Sequence, residues 1–205
     1  DEAAYYGLAG EIVRVIDPHS EADPVALLIQ LLAAFGNAIH RNPYFVAEAD
    51  HHHCKLFAVL VGETSKGRKG ASWGQVRRLF DAAEPEWAKT HIVGGLSSGE
   101  GLIWAVRDPI TKREPVYEGK GKEKRVVGYN DIEVDSGVLD KRLLVMESEF
   151  ALVLKVMARD SNTLSAIIRQ AWDRGDLRTL TKNSPAQATG THISIVGHIT
   201  RDELR

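Results

Sequence analysis

The chain has 205 residues, 43% of them hydrophobic and 26% charged, which fits one ordinary globular domain or one with a small appendage and excludes a disordered or fibrous chain. Lys and Arg total 26 against 28 Asp and Glu, a formal charge of −2, so wholesale polyanion binding is excluded while a local basic patch is not. The single cysteine, Cys54, rules out an internal disulfide framework and points to a reducing, cytoplasmic setting.

Residues 1–45 read as helical, and 1–50 separates as an N-terminal helical appendage to a domain spanning 51–205. Asp23-Pro24 marks a helix start, with Asp as N-cap and Pro in the first turn. The run that follows, Val25–Phe35, is apolar on nearly every face and predicts a helix buried on several sides. It is the longest apolar stretch, is interrupted by Gln30, and falls short of the ~20 residues of a membrane span. Lys55–Val61 (KLFAVLV), ending at Gly62, reads as a central, doubly covered strand of a parallel sheet.

After a glycine-rich turn at 62–70, Ser72–Phe80 predicts a helix with Val76, Leu79 and Phe80 on one face. His91–Gly94 is a second strand, and Ser97–Val106 a helix ended by Asp108-Pro109. Residues 112–137 form a loop or hairpin insertion carrying a basic run. Leu143–Met146 is a third strand, Phe150–Ala158 and Thr163–Asp173 are helices, and His192–Ile199 (HISIVGHI) is a fourth strand. Strands alternating with helices predict an α/β fold around a mostly parallel sheet. Ligands of such sheets sit beyond the carboxyl ends of the strands.

The first of those ends is Gly62-Glu-Thr-Ser-Lys-Gly67-Arg-Lys69-Gly-Ala-Ser72. Between a buried strand and an amphipathic helix, glycines let backbone amides turn inward and the helix start adds positive potential, which is what a phosphate needs. Gly62 and Gly67 have the separation of the P-loop pattern GxxxxGK[ST], but Arg68 stands where lysine belongs. In a lengthened loop Lys69 is the first choice for the phosphate lysine and Ser72 for the Mg²⁺ hydroxyl, with Lys66 and Arg68 as alternatives. A bland account is also open: a structural turn followed by a capping box, Ser72 with Gln75.

The third strand ends in an acid, Glu147, placed to hold a Mg²⁺ shell or orient water. Ser148 or Glu149 could serve the start of the next helix. After the second strand, Glu100 would lie beside the first strand as a general base, or close a capping box with Ser97. His198 is either a γ-phosphate sensor or a satisfied core histidine. His51-His52-His53 cannot converge on one ion from consecutive strand positions, and Cys54 is expected to be buried. Arg174, Arg178 and Lys182 are candidates for a finger toward a neighbouring subunit or for DNA phosphates, and the run GKGKEKR at Gly119–Arg125 for a DNA-contacting loop. A solvated charged surface is the alternative for the first group, and disorder without function for the second.

VGETSKGRKGASWG, GLSSGEGLIWAVRDP, RLLVMESEF and the closing RQAWDRGDLRTLTKNSPAQATGTHISIVGHITRDELR together resemble a family of RecA-like P-loop ATPases. These occur in phage, plasmid and integrated-element replication proteins, often beside primase-polymerase domains, and are similar to RepA-type hexameric helicases. The resemblance runs from about Val25 onward. It implies ATP, Mg²⁺, ring assembly from copies of the chain, and movement along DNA, with single-stranded DNA the expected partner. By position it implies phosphate contacts from Gly62, Thr64, Ser65, Gly67, Arg68, Lys69, Gly70 and Ser72, the Mg²⁺-side acid at Glu147, a base at Glu100 and a sensor at His198. A non-catalytic DNA-binding or assembly module with a decayed loop is the alternative. Such a core has at least one more strand than the four found, so a C-terminally truncated core is expected. The start at Asp1, with no methionine or signal pattern, likewise predicts an excised piece.

Overall fold

The computed structural model describes residues 2–63, 69–119, 121, 124–180 and 186–204. Two helices open the chain, α1 (Gly7–Ile16) and α2 (Pro24–Ala38), followed by a hairpin of β1 (Tyr44–Ala47) and β2 (Asp50–His53). Next come β3 (Phe57–Gly62), α3 (Lys69–Ala83), α4 (Pro85–His91), β4 (Ile92–Val93) and α5 (Gly99–Ala105). An antiparallel ribbon, β5 (Ile110–Glu118) and β6 (Arg125–Asp135), fills the insertion. Then follow β7 (Arg142–Glu147), α6 (Phe150–Met157), α7 (Leu164–Asp173), a short hairpin of β8 (Leu177–Thr179) and β9 (Ala186–Ala188), and β10 (His192–Thr200).

Four strands make the central sheet, in the order β3-β10-β7-β4 and all parallel. Parallel neighbours need long crossovers, and the helices in those crossovers cover both faces. Alternation along the strands sorts the core. Leu143, Val145, Ile193, Ile195 and Ile199 pack with α5, α6 and α7, whereas Leu144 and Val196 pack with α1 to α4. The fold is therefore mixed α/β with helices on either side of a parallel sheet.

α2 starts where the sequence places it: Asp23 accepts a hydrogen bond from the Val25 amide at 2.8 Å, and Pro24 takes the first turn. It packs on β10 and β7 as one layer of the sandwich. Its Gly36 passes so close to the next connection that a Cβ there would stand 1.9 Å from the Cys54 carbonyl oxygen. Cys54 itself is exposed, contrary to expectation, because it sits at the turn from β2 into the sheet.

The doubly covered central strand is β10. Every residue from His192 to Ile199 is buried. Lys55–Val61 was expected in that role, but β3 lies at the edge of the sheet as described, with Val59 and Val61 42% and 51% exposed. An apolar run reports hydrophobicity and not lateral position, and the crossovers insert β10 between β3 and β7.

Two amides on α2 tie this arrangement together. Asn37 Nδ2 donates to the carbonyls of Leu143 (3.1 Å) and His192 (2.8 Å), one on each central strand, and its Oδ1 accepts from Trp87 Nε1 on α4 at 3.1 Å. His192 Nε2 lies 2.8 Å from the Gly36 carbonyl, so that nitrogen carries the proton and donates. Its Nδ1 is buried with no hydrogen-bond partner among the described residues. Burial, opposed only in part by the hydrogen bond to Gly36 and aided by the nearby Lys55 ammonium, pushes His192 down to about 4.

Two expectations follow. Asn37→Leu keeps the volume but strands the Trp87 N–H and removes the donor shared by two strands. It should lower stability by about 3 kcal/mol in urea unfolding. The second concerns acid. The unfolded chain takes a proton on His192 near the ordinary 6.5, which the fold refuses until about 4. Stability from this group is complete above pH ~6.5 and falls as pH drops toward 4, by about 3 kcal/mol at most. Urea titrations across that window should show the slope, and His192→Gln should flatten it.

Candidate functional site

Because the four strands are parallel, the segments that follow Gly62, Val93, Glu147 and Thr200 emerge at one end of the sheet. Positions 64–68 and the side chain of Lys69 lie outside the described residues, and with them Thr64, Ser65, Lys66, Gly67 and Arg68. Gly62 closes β3 half-buried, its carbonyl accepting from the Arg201 amide at 2.8 Å. α3 begins at Lys69, and Gly70 in its first turn is exposed with open space around its Cα.

Ser72 is enclosed. It is the fourth residue of α3, not its cap, and is fully buried. Its hydroxyl accepts from Gln30 Nε2 at 2.6 Å, and Gln30 also donates to the Ala26 carbonyl at 2.9 Å. The other side of the Gln30 amide meets His198, Oε1 standing 3.3 Å from Nε2. His198 is 3% exposed, on the α2 face of β10. The structure thus brings two residues singled out from sequence, Ser72 and His198, onto one residue that was not. Gln30 joins the first turns of α3 to the end of β10, and its signal in the sequence is the lone polar side chain in an apolar run.

Glu147 lies on the opposite face, in step with Leu143 and Val145. It is 9% exposed, and one oxygen, Oε1, accepts from the amides of Gly95 and Leu96, both at 2.6 Å. Gly95 holds φ +93, a conformation that favours glycine, so both amides can turn onto a single oxygen. Oε2 stays outside that clamp. Two residues on, Glu149 precedes α6 without capping it and is exposed. It is a second carboxylate at this end of β7, and sequence reasoning gave it only a capping role.

Glu100 does not lie beside the first strand. β4 pairs with β7, so β7 and β10 separate it from β3. The cap of α5 is Ser98, which accepts from Gly101 N at 3.0 Å, and Glu100 instead accepts from Thr163 Oγ1 at 2.9 Å. The segment Gly94–Ser98, α5, Val93 of β4 and Leu143 and Val145 of β7 line a recess of about 310 Å³.

Cations gather at the other end of the sheet. Lys55 donates to the Ala171 carbonyl at 2.5 Å and Arg41 to that of Arg174 at 3.1 Å, closing the last turn of α7. Burial first, then the charge of Arg41, pushes the Lys55 amine down to about 8. Beside them a recess of about 810 Å³ is lined by His51, His52, His53, Trp172 and Asp173. Arg174 lines this recess, while Arg178 on β8 donates to Gln170 Oε1 and Gln187 Oε1. Lys182 lies outside the described residues.

No protein-family model matches the chain, and no curated protein matches it either.

The clamp on Glu147 separates a structural from a chemical duty for that carboxylate. Glu147→Gln retains an oxygen for the two amides and should keep the native urea midpoint. Glu147→Ala should cost about 2 kcal/mol and speed hydrogen exchange at Gly95 and Leu96. If the charge acts on a ligand, Glu147→Gln alone should remove activity.

Proposed function

We propose that this chain binds ATP beyond the carboxyl end of β3 and hydrolyses it with Mg²⁺, in a ring of copies that moves along single-stranded DNA during replication of a mobile element. The observation that carries the reading is the order β3-β10-β7-β4. The strand feeding the glycine-rich segment and the strand ending in an acid have one strand between them and point the same way. β10, the last strand in the chain, is inserted there. The crossover leaving β3 (α3, α4) covers the α2 face and the one leaving β7 (α6, α7) covers the opposite face. The two diverge on either side of β10 and open a crevice at the carboxyl ends. The resemblance of VGETSKGRKGASWG and RLLVMESEF to RecA-like ATPases supports the same placement and is the basis for the ring and the DNA.

In this reading, amides of the segment 62–70 and the start of α3 face the phosphates, with Lys69 as their cation. Mg²⁺, when bound, neutralises charge on the β- and γ-phosphates. Glu147 fits a place beside it through Oε2, since Oε1 already holds two amides. Ser72 does not fit, its hydroxyl being buried against Gln30. His198 acts through Gln30 and not by direct contact. Glu149 and Glu100 are the two carboxylates able to orient water, and Glu149 is the one on the acid-ended strand's own continuation. No described helix is long and apolar enough to cross a membrane.

The enclosure of Ser72 favours one second reading, a module that binds DNA or assembles without turning over ATP. Equilibrium binding of a fluorescent ATP analogue and Mg²⁺-dependent phosphate release, with and without oligodeoxythymidylate, separate the two. Turnover stimulated by the oligonucleotide is expected. Lys69→Ala should weaken ATP binding at least tenfold and Arg68→Ala less. Unchanged affinity in both, with Lys66→Ala also silent, overturns the loop's role. DNA binding without turnover selects the module.

A further inference from the structure

We infer that one face of the β5–β6 ribbon is a stacking platform for single-stranded DNA. The inference rests on the DNA half of the reading above and is independent of the ATP half.

The ribbon is an arm with a rigid root. Arg107 forks onto Asp135, Nε to Oδ1 at 2.9 Å and Nη2 to Oδ2 at 2.8 Å. Lys141 closes the same corner through the carbonyls of Val106 and Arg107 and the Asp108 carboxylate. From that root the nine residues of β5 reach about 30 Å, and nearly every residue of both strands is exposed or half-exposed. An isolated two-stranded ribbon is marginal in water, and one displaying aromatic rings has the character of a binding surface.

Register decides which residues share a face. Tyr129 pairs with Pro115 and Tyr117 with Val126, so Arg113, Pro115, Tyr117, Val126 and Tyr129 stand together. The two rings are 50% and 57% exposed. Each has a cation over it: Lys124 Nζ is 4.0 Å from the Tyr117 centroid, and the Arg113 guanidinium 4.8 Å from that of Tyr129. Diagonal cross-strand positions lie about 7–8 Å apart at the backbone, roughly twice the 3.4 Å rise of a stacked strand. A nucleotide needs a π-face for its base and a positive charge within reach for its phosphate, and this face presents that pair twice. Paired bases have their faces covered, so the fit is to a single strand. Charge is graded along the ribbon: Glu133 and Asp135 lie at the root and Asp131 midway, opposite Arg113. The sequence Gly119–Arg125 (GKGKEKR) carries four cations against one acid, with Arg125 held by Glu118 at 2.9 Å.

Fluorescence anisotropy of labelled oligodeoxythymidylate with the full chain, without nucleotide and over a range of salt, tests the inference. Tyr117→Ala/Tyr129→Ala should weaken binding at least tenfold with little change in salt slope. Lys124→Glu/Arg125→Glu should weaken it and reduce the slope by about one to two. Lys112→Ala/Glu114→Ala, an ion pair on the reverse face of the ribbon, should leave binding unchanged. Circular dichroism, the urea midpoint and ATP affinity should be the same in all, because the ribbon lies off the core. Wild-type binding that survives in both the tyrosine and charge variants overturns the platform and leaves the DNA reading standing. A wild-type chain that binds no oligonucleotide overturns both. Variants that change self-association in sedimentation while sparing DNA binding overturn the platform in favour of a contact between copies.

Discussion

A buried polar seam between α2 and β10 is the constraint on which this fold depends. Apolar burial is non-directional, and a helix as uniformly apolar as α2 could rotate or slide on the sheet at little cost. Gln30 and Asn37 remove that freedom. Seven residues apart, they share a helix face about 10.5 Å long, and they meet His198 at one end and Ser194 and the His192 carbonyl at the other. From Ser194 to His198 the strand covers about 13 Å, so the side chains close the difference. Any other register would leave several buried polar groups unpaired, each costing about 1–3 kcal/mol. The helix runs antiparallel to the strand because only that direction places both amides on both partners.

Strand parity then divides the carboxyl end of the sheet into two chemistries. Even positions of β10 carry His192, Ser194 and His198 toward α2, and odd positions of β7 carry Glu147 toward α5. Ser72 joins the first group through Gln30, and the amides of Gly95 and Leu96 join the second. Side chains on opposite faces of one sheet cannot meet through it. Only the connections that leave the strand ends can address both, which is why the segment after β3 carries the weight of any account of activity here.

Much of this was legible because hydrophobic periodicity is a one-dimensional signal. α2, α6, α7, β7 and β10 fall where their apolar runs lie. Lateral order is not written in such runs: Lys55–Val61 and His192–Ile199 look alike, yet one is an edge and the other the centre. Short elements escape for a related reason. α4 has seven residues, and β8 and β9 three each, too few to establish a period, and what holds α4 is Trp87 reaching Asn37 from a distant segment. At the candidate site the polar residue types stand out in the sequence, but their partners do not. Ser98 and not Ser97 caps α5, and Gln30, passed over as an interruption, is the link between Ser72 and His198.

That link sets how the candidate site divides its labour. Glycine allows the backbone conformations that bulkier residues avoid, at an entropic cost on ordering, and the segment 62–70 contains three of them. Directly after it, the Ser72 hydroxyl is fixed to Gln30, and Gln30 to β10. The first turn of α3 is therefore pinned to the centre of the sheet. A loop that must wrap an anion needs such a floor, since amides aimed from a loose helix would lose the orientation that makes them attractive. In the proposed reading, Ser72 is withdrawn from the nucleotide because its hydroxyl is committed to the scaffold. The chain would have to draw its metal-side oxygens from the acid-ended strand instead.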